Sequence, residues 1–167
     1  MGKLIDGKWV KTSIITSDES GAYKRLPRTF LETISENHAV FKPETNRYHL
    51  YVSLACPWAS RALIYRELKE LHNHISVDIV HPDMLEDGWK FDPSFPGATK
   101  DSIYDYEFLR QIYQKADPKI TTSVTVPILW DKHTETIVNN ESSQIIRIMN
   151  SAFNSLTKNR DNYYPET

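Results

Sequence analysis

Tyr48-His49-Leu50-Tyr51-Val52-Ser53-Leu54-Ala55-Cys56-Pro57-Trp58-Ala59-Ser60-Arg61 decides the fold. Its first six residues are rich in aromatic and β-branched side chains, which read as a strand. Leu54-Ala55 is a short link, and Cys56-Pro57-Trp58 opens a helix running to about residue 71. Proline suits the first helical position, where its missing N–H has no partner to lose. Apolar residues at 58, 62 and 65 make one stripe on this helix, and those at 64, 68 and 71 an adjoining one. Such a face is wider than one contact needs, and Trp58 is expected in the core.

Working outward, residues 75–80 alternate as a second strand. Residues 81–102 hold Pro82, Gly88, Pro93, Pro96 and Gly97 and read as a long loop. The pattern predicts a helix over 103–116, capped by Asp101 or Ser102 and ended by Asp117-Pro118. It predicts a strand over 124–130, a turn, and a strand over 136–138. Asn139 or Asn140 then caps a third helix over 141–153. The order β-α-β-α-β-β-α needs a parallel pair with a crossover helix, then a hairpin and a helix. That is the α/β, thioredoxin-like order: a four-stranded mixed sheet with flanking helices over residues 46–156. Residues 1–45, punctuated by Gly2, Gly7, Gly21, Pro27 and Pro43, read as an irregular lead-in with a small helix over 29–36.

A chain of 167 residues can bury a core without staples, and its one cysteine, Cys56, excludes a disulfide framework or a Cys-rich zinc module. A net charge of −2 leaves no basic footprint for nucleic acid. No stretch is long and apolar enough to span a bilayer, and Lys3, Asp6, Lys8 and Lys11 break up any secretory core. The expected compartment is the reducing cytoplasm, where a lone thiol stays free.

Cys56 is the first chemical candidate. At a helix start, free N–H groups and the dipole stabilise a thiolate. A buried structural cysteine is the alternative, and spacing leaves the two equally open. Ala59 stands where a Cys-x-x-Cys pair would have its second thiol. A reactive Cys56 would therefore complete its cycle with a thiol from solution, such as glutathione. Val126-Pro127 faces this helix; a cis bond would offer backbone groups to a peptide ligand, against the default of a trans proline. Asn140-Glu141-Ser142-Ser143 is either an anion-binding helix start or, by default, a plain cap. Trp89 either stacks on a ligand or anchors its loop. Arg61 is read as structural, paired with a buried carboxylate. His72, His74, His81 and Asp83 fit no ligand spacing, so no metal is expected.

Residues 48–61 resemble the active-site block of the glutathionyl-hydroquinone reductases, the Xi class of glutathione transferases, which includes fungal omega-like enzymes. Three further blocks agree in order: Gly88-Trp89-Lys90-Phe91, Thr125-Val126-Pro127-Ile128-Leu129-Trp130-Asp131, and Thr136-Ile137-Val138-Asn139-Asn140-Glu141-Ser142-Ser143. The resemblance implies a glutathione-binding domain and an enzyme acting on small glutathione conjugates, with glutathione as co-substrate. It implies Cys56 as nucleophile, Val126 pairing its backbone with glutathione beside a cis Pro127, Glu141 and Ser142 at the γ-glutamyl end, and Trp89 along the ligand. The alternative is a non-catalytic glutathione- or partner-binding module.

Two positions depart from the family: Ser60 where histidine is frequent, and Ser123 where an arginine would hold the glycyl carboxylate. The resemblance also implies an all-helical second domain, with residues 157–167 as the start of the linker to it. Apolar residues at 145, 146, 148, 149, 152 and 153 exceed what one sheet face needs. An exposed apolar patch on the third helix is therefore expected, favouring self-association, and a homodimer stands open.

Overall fold

The computed structural model describes residues 2–12, 16–17, 20–21, 23–24 and 28–165. A hairpin of β1 (Gly2–Ile5) and β2 (Lys8–Lys11) opens the chain, followed by the short pair β3 (Thr16–Ser17) and β4 (Tyr23–Lys24). The main body runs β5 (Tyr48–Val52), α1 (Pro57–Leu68), β6 (Ile75–Ile79), α2 (Arg110–Ala116), β7 (Ile128–Asp131), β8 (Thr136–Asn139) and α3 (Ser142–Ser151). Its sheet has the order β6-β5-β7-β8. β5 pairs parallel with β6 and antiparallel with β7, and β7 pairs antiparallel with β8. This is the thioredoxin-like sheet the pattern predicted. Among the described residues no helix is long and apolar enough to cross a membrane.

β5 is buried at all five positions because both of its faces are covered. Tyr48 meets Phe153 edge to face at 5.8 Å, while His49 and Tyr51 form an edge contact of their own at 4.4 Å. Most of the polar tips find partners nearby, while His49 Nε2 faces Asp78 outside hydrogen-bond geometry. Tyr51 donates to Asp101 at 3.1 Å, and His49 lies between Ser76 Oγ at 2.7 Å and Asp78 Oδ2 at 3.2 Å. Burial raises the Tyr51 phenol and the Asp101 carboxylate adds to it, so this hydroxyl stays protonated as a donor.

Several expectations need correction. The lead-in is more ordered than expected. Asp6 and Gly7 both have positive φ and close the β1–β2 hairpin. The hairpin then docks on residues 120–122 through reciprocal Leu4–Thr122 backbone bonds and Gly7 N–H to the Ile120 carbonyl. A Cβ on Gly7 would fall 1.8 Å from the Pro118 carbonyl oxygen, so only glycine allows this approach.

The small helix over 29–36 does not form. Its backbone runs beside β8 instead, with Glu32 N–H on the Val138 carbonyl, Asn140 N–H on the Phe30 carbonyl and a bridge between Leu31 and Asn139. The helix expected over 103–116 begins only at Arg110. Asp101 takes the N–H groups of Ile103 and Tyr106, and Asp105 adopts a φ of 58°, which no α-helix admits. The strand expected from 124 begins at Ile128.

The apolar surplus lies on a different helix from the one expected. On α3, Ile145, Ile148 and Met149 are buried, with Phe153 beyond its end, and α3 packs on α1. On α1 only Ala59 and Ala62 are fully buried, while Trp58, Ile64 and Leu68 are exposed. Trp58 is therefore not a core residue. Small alanines let the two helices approach, and the large side chains turn outward. The segment 157–165 crosses the end of α1: Thr157 Oγ1 donates to the Lys69 carbonyl and Lys69 Nζ to the Asp161 carbonyl.

Arg47 and Asp131 clamp the start of β5 to the end of β7. Arg47 Nε and Nη2 reach the two Asp131 carboxylate oxygens at 2.8 and 2.7 Å, both side chains being buried. Asp131 also accepts from His133 N–H and the Thr134 hydroxyl, holding the β7–β8 turn. Burial alone would raise its pKa, but the hydrogen bonds of Arg47, Thr134 and His133 outweigh that and hold it below the ordinary carboxylate value. Its contribution to stability is thus complete above the unfolded value near ~3.9 and is lost as pH falls through the lower folded value. Asp131→Asn, which leaves Arg47 with Glu44 as its remaining carboxylate partner, should cost about 3 kcal/mol in urea unfolding at pH 7. The gap to wild type should narrow as pH drops below about 4; a gap independent of pH would refute the ion pair as its source.

Candidate active site

Val52 ends β5, and Ser53 turns the chain. The Ser53 carbonyl accepts Cys56 N–H at 3.1 Å, and Cys56 becomes the residue capping α1 with Pro57 at its first position. The Cys56 carbonyl receives Ala59 and Ser60 N–H at 3.0 Å each, so its backbone is spent on the helix. The side chain makes no cap bond and is half-buried. Its sulfur faces the Val126 carbonyl at 3.8 Å, across 70 residues of sequence. The Val126–Pro127 bond is cis, as the resemblance implied and contrary to the default for a proline.

Cys56, Trp58, Met84, Trp89, Val124, Thr125 and Val126 line a cleft of about 160 Å³. This is below the ~300–1,000 Å³ of enclosed small-molecule pockets, so the cleft is an open groove rather than a closed cavity. Trp89 is fixed by its backbone, whose carbonyl accepts Leu109 N–H. Its loop is braced by Trp9 of β2, which donates to the Glu86 carbonyl and packs where a Gly88 side chain would sit. Larger depressions, of about 510, 430 and 200 Å³, lie over the 81–92 loop, beside α3 and past the end of α1. None of these is bordered by the thiol, and chemistry rather than size selects the smaller cleft. Among the described residues no cluster of histidines, cysteines and carboxylates is placed to hold a metal ion.

Two arginines connect the cleft to the start of α3. Arg61, stacked on Trp58 at 4.9 Å, donates through Nη2 and Nε to Ser142 Oγ at 2.6 and 3.2 Å. Its partner is a hydroxyl, not the carboxylate expected. Arg28 donates through Nη1 to Thr125 Oγ1 at 2.7 Å and through Nε to Glu141 Oε2 at 3.4 Å. Glu141, rather than Asn139 or Asn140, caps α3: its Oε1 accepts Ser143 N–H at 3.3 Å, and Asn139 Oδ1 holds Glu141 N–H. Burial would raise the Glu141 carboxyl, but the Ser143 N–H and the Arg28 charge prevail and lower it, keeping it ionised.

The expected site residues therefore fall in two groups. Cys56, Trp89 and Val126 line the cleft, with Pro127 next in the chain, while Glu141 and Ser142 stand at the α3 terminus. Arg28, Thr125 and Met84 were not singled out from sequence. Only the fold shows their proximity, since Arg28 sits 113 residues from Glu141.

Residues 55–152 match the family model for the glutathione S-transferase N-terminal domain. The chain belongs to that family. This transferase domain is 51% identical to "Glutathionyl-hydroquinone reductase YqjG" of Escherichia coli, across 99% of the chain and 52% of that protein. It is 46% identical to "Glutathionyl-hydroquinone reductase PcpF" of Sphingobium chlorophenolicum, covering 51% of it. Among solved structures, the glutathione-bound YqjG superimposes with a TM-score of 0.84 at 48% identity, over 98% of this chain and 50% of that one. The Xi-class transferase from Natrialba magadii gives 0.87 at 41% identity, over 99% and 49%. The domain thus spans about half the length of the curated relatives it matches.

Replacing Glu141 by alanine removes the α3 cap and should lower stability by about 1 kcal/mol in chemical unfolding. An unchanged midpoint would show that the cap carries no load.

Proposed function

We propose that this chain carries the glutathione-binding half of a glutathione-dependent thiol transferase, and that Cys56 is its nucleophile. The observation that carries the reading is the half-buried thiol at the tip of α1, facing Val126 across a groove floored by Trp89. Glutathione would lie along that groove, its cysteinyl backbone against Val126 beside Pro127 and its γ-glutamyl end at Glu141 and Ser142. The names of the relatives, glutathionyl-hydroquinone reductases, support small glutathione conjugates as the substrate class.

The chemistry balances with one thiol. The Cys56 thiolate attacks the sulfur of a glutathionyl-hydroquinone, the carbon–sulfur bond breaks, and the ring carbon takes up a proton as hydroquinone departs. Cys56 is left in a mixed disulfide with glutathione. A second glutathione thiolate attacks that disulfide, releasing glutathione disulfide and the Cys56 thiolate.

Incubation with glutathione disulfide should add one glutathione by intact mass, and Cys56→Ala should abolish the adduct. An unmodified wild-type chain would defeat the proposal.

A second reading is binding without turnover. The open cleft of about 160 Å³ supports it, since little wall remains for an aromatic ring once a tripeptide is seated. Steady release of hydroquinone from a glutathionyl-hydroquinone by this chain would exclude it.

The exposed stripe of α1 supports self-association. Trp58, Ile64 and Leu68, with Arg61 and Tyr65 between them, span about 120° of the helix at 100° per residue. Light scattering should show a dimer or larger species, converted to monomer in Ile64→Glu/Leu68→Glu; a wild-type monomer at high concentration would refute it.

A further inference from the structure

The lead-in reaches the site by strand-like addition. Phe30, Leu31 and Glu32 run antiparallel to residues 138–140 along the open edge of β8. Stepping back from Phe30 to Arg28 therefore means stepping forward from Asn140 toward Ser142. This register brings the Arg28 side chain to the α3 terminus, where it is largely buried, at 16% exposure.

Its guanidinium is only partly used there. Of its five N–H donors, one meets Thr125 at 2.7 Å and another meets Glu141 at a loose 3.4 Å. Nη2 has no hydrogen-bond partner among the described residues. Glu141 is similarly divided, with Oε1 committed to Ser143 and Oε2 held only by that long contact.

The charge count points the same way. Arg28 and Arg61 flank Glu141 and Ser142, so two guanidinium groups face one carboxylate. Arg61 has no ion pair among the described residues and donates to a neutral hydroxyl. The start of α3 adds its own partial positive charge. A cluster with one surplus cation and one loosely held carboxylate oxygen complements an amino-acid zwitterion. The ammonium would go to Glu141 Oε2 and the carboxylate to the unused guanidinium donors.

We propose that Arg28 is a specificity-determining residue of this site. It reads the free α-carboxylate of a γ-glutamyl group and, through Thr125, ties that end of the ligand to the segment beside Cys56. The proposal deepens the glutathione reading above and rests on it. Selection for a γ-linked glutamate follows, because only that linkage leaves both α groups free.

The test compares glutathione with cysteinylglycine, which keeps the reacting thiol and lacks the γ-glutamyl group. Calorimetry gives glutathione affinity. The rate at which each compound's symmetrical disulfide modifies Cys56 gives a second readout, by attack of the Cys56 thiolate and departure of one thiolate. Arg28→Ala should weaken glutathione binding roughly tenfold to a hundredfold. It should slow modification by glutathione disulfide to a similar degree and leave modification by the cysteinylglycine disulfide within about twofold. Arg28→Lys, which keeps the charge and loses the fork, should recover part of the loss. Unchanged glutathione affinity in Arg28→Ala would overturn the proposal. So would equal slowing with both disulfides, which would mark Arg28 as merely structural. Failure of the wild type to bind glutathione at all would instead sink the underlying functional reading, and this proposal with it.

Discussion

The antiparallel pairing of β5 with β7 is the constraint on which the rest depends. Leu50 opposite Leu129 and Tyr51 opposite Ile128 set the register of the sheet's two central strands. Just past that ladder, β5 hands over to the Cys56 turn while the chain entering β7 passes through Val126 and Pro127. The sulfur and the Val126 carbonyl therefore meet because the hydrophobic ladder behind them admits one register. A slip of one residue would turn every side chain of β5 to the opposite face and carry Val126 away from the thiol. The bidentate Arg47–Asp131 pair closes the far end of the same two strands. The ladder is thus pinned at its base by charge and sets the approach of Cys56 to Val126 at its top.

The site is assembled from pieces with different kinds of support. Cys56 and Val126 stand on the central strands and inherit their rigidity. Trp89 sits on a long loop that the β1–β2 hairpin braces through Trp9. Glu141 and Ser142 are set by the first turn of α3, whose packing on α1 fixes the distance between the two helix starts. Arg61, projecting from α1, then bonds Ser142 directly. The N-termini of α1 and α3 are thereby tied together by a side chain of one on the first turn of the other.

The parts legible in the sequence were those governed by local rules. Alternation over 75–80, Pro57 at a helix start and the turn residues after Asp131 each report on a few neighbours, and the element order followed from them. The placement of Cys56 at the helix start was readable because a single cysteine beside a proline on a strand-to-helix turn is a local pattern. What escaped was set by distant partners. Asp101 and Asp105 look like ordinary helix-start residues, yet the side chain of Asp101 is engaged by Tyr51 and by the N–H groups of its own turn. Residues 29–36 have helical spacing, yet the unpaired edge of β8 offered their backbone better bonds. Arg28 carries no local mark, because its bonds to Thr125 and Glu141 form only when that edge is filled.

The misassigned apolar surplus follows the same logic at the level of packing. Hydrophobic counting finds too many apolar residues for one sheet face and cannot say which helix turns them outward. The choice falls to side-chain volume. Close approach of α1 to α3 requires small residues on one partner, and Ala59 and Ala62 supply them, while Ile145, Ile148 and Met149 fill the space from α3. Once the alanines define the inward face, helical geometry places Ile64 and Leu68 on the outward one, whatever their hydropathy, while Trp58, one turn before Ala62, is exposed in the first turn of α1. Arg61 projects from the same stripe, and its long side chain reaches back to bond Ser142 and to stack on Trp58. An exposed apolar stripe and a cationic site are therefore two consequences of one packing decision, and neither can be altered by moving α1 without disturbing the other.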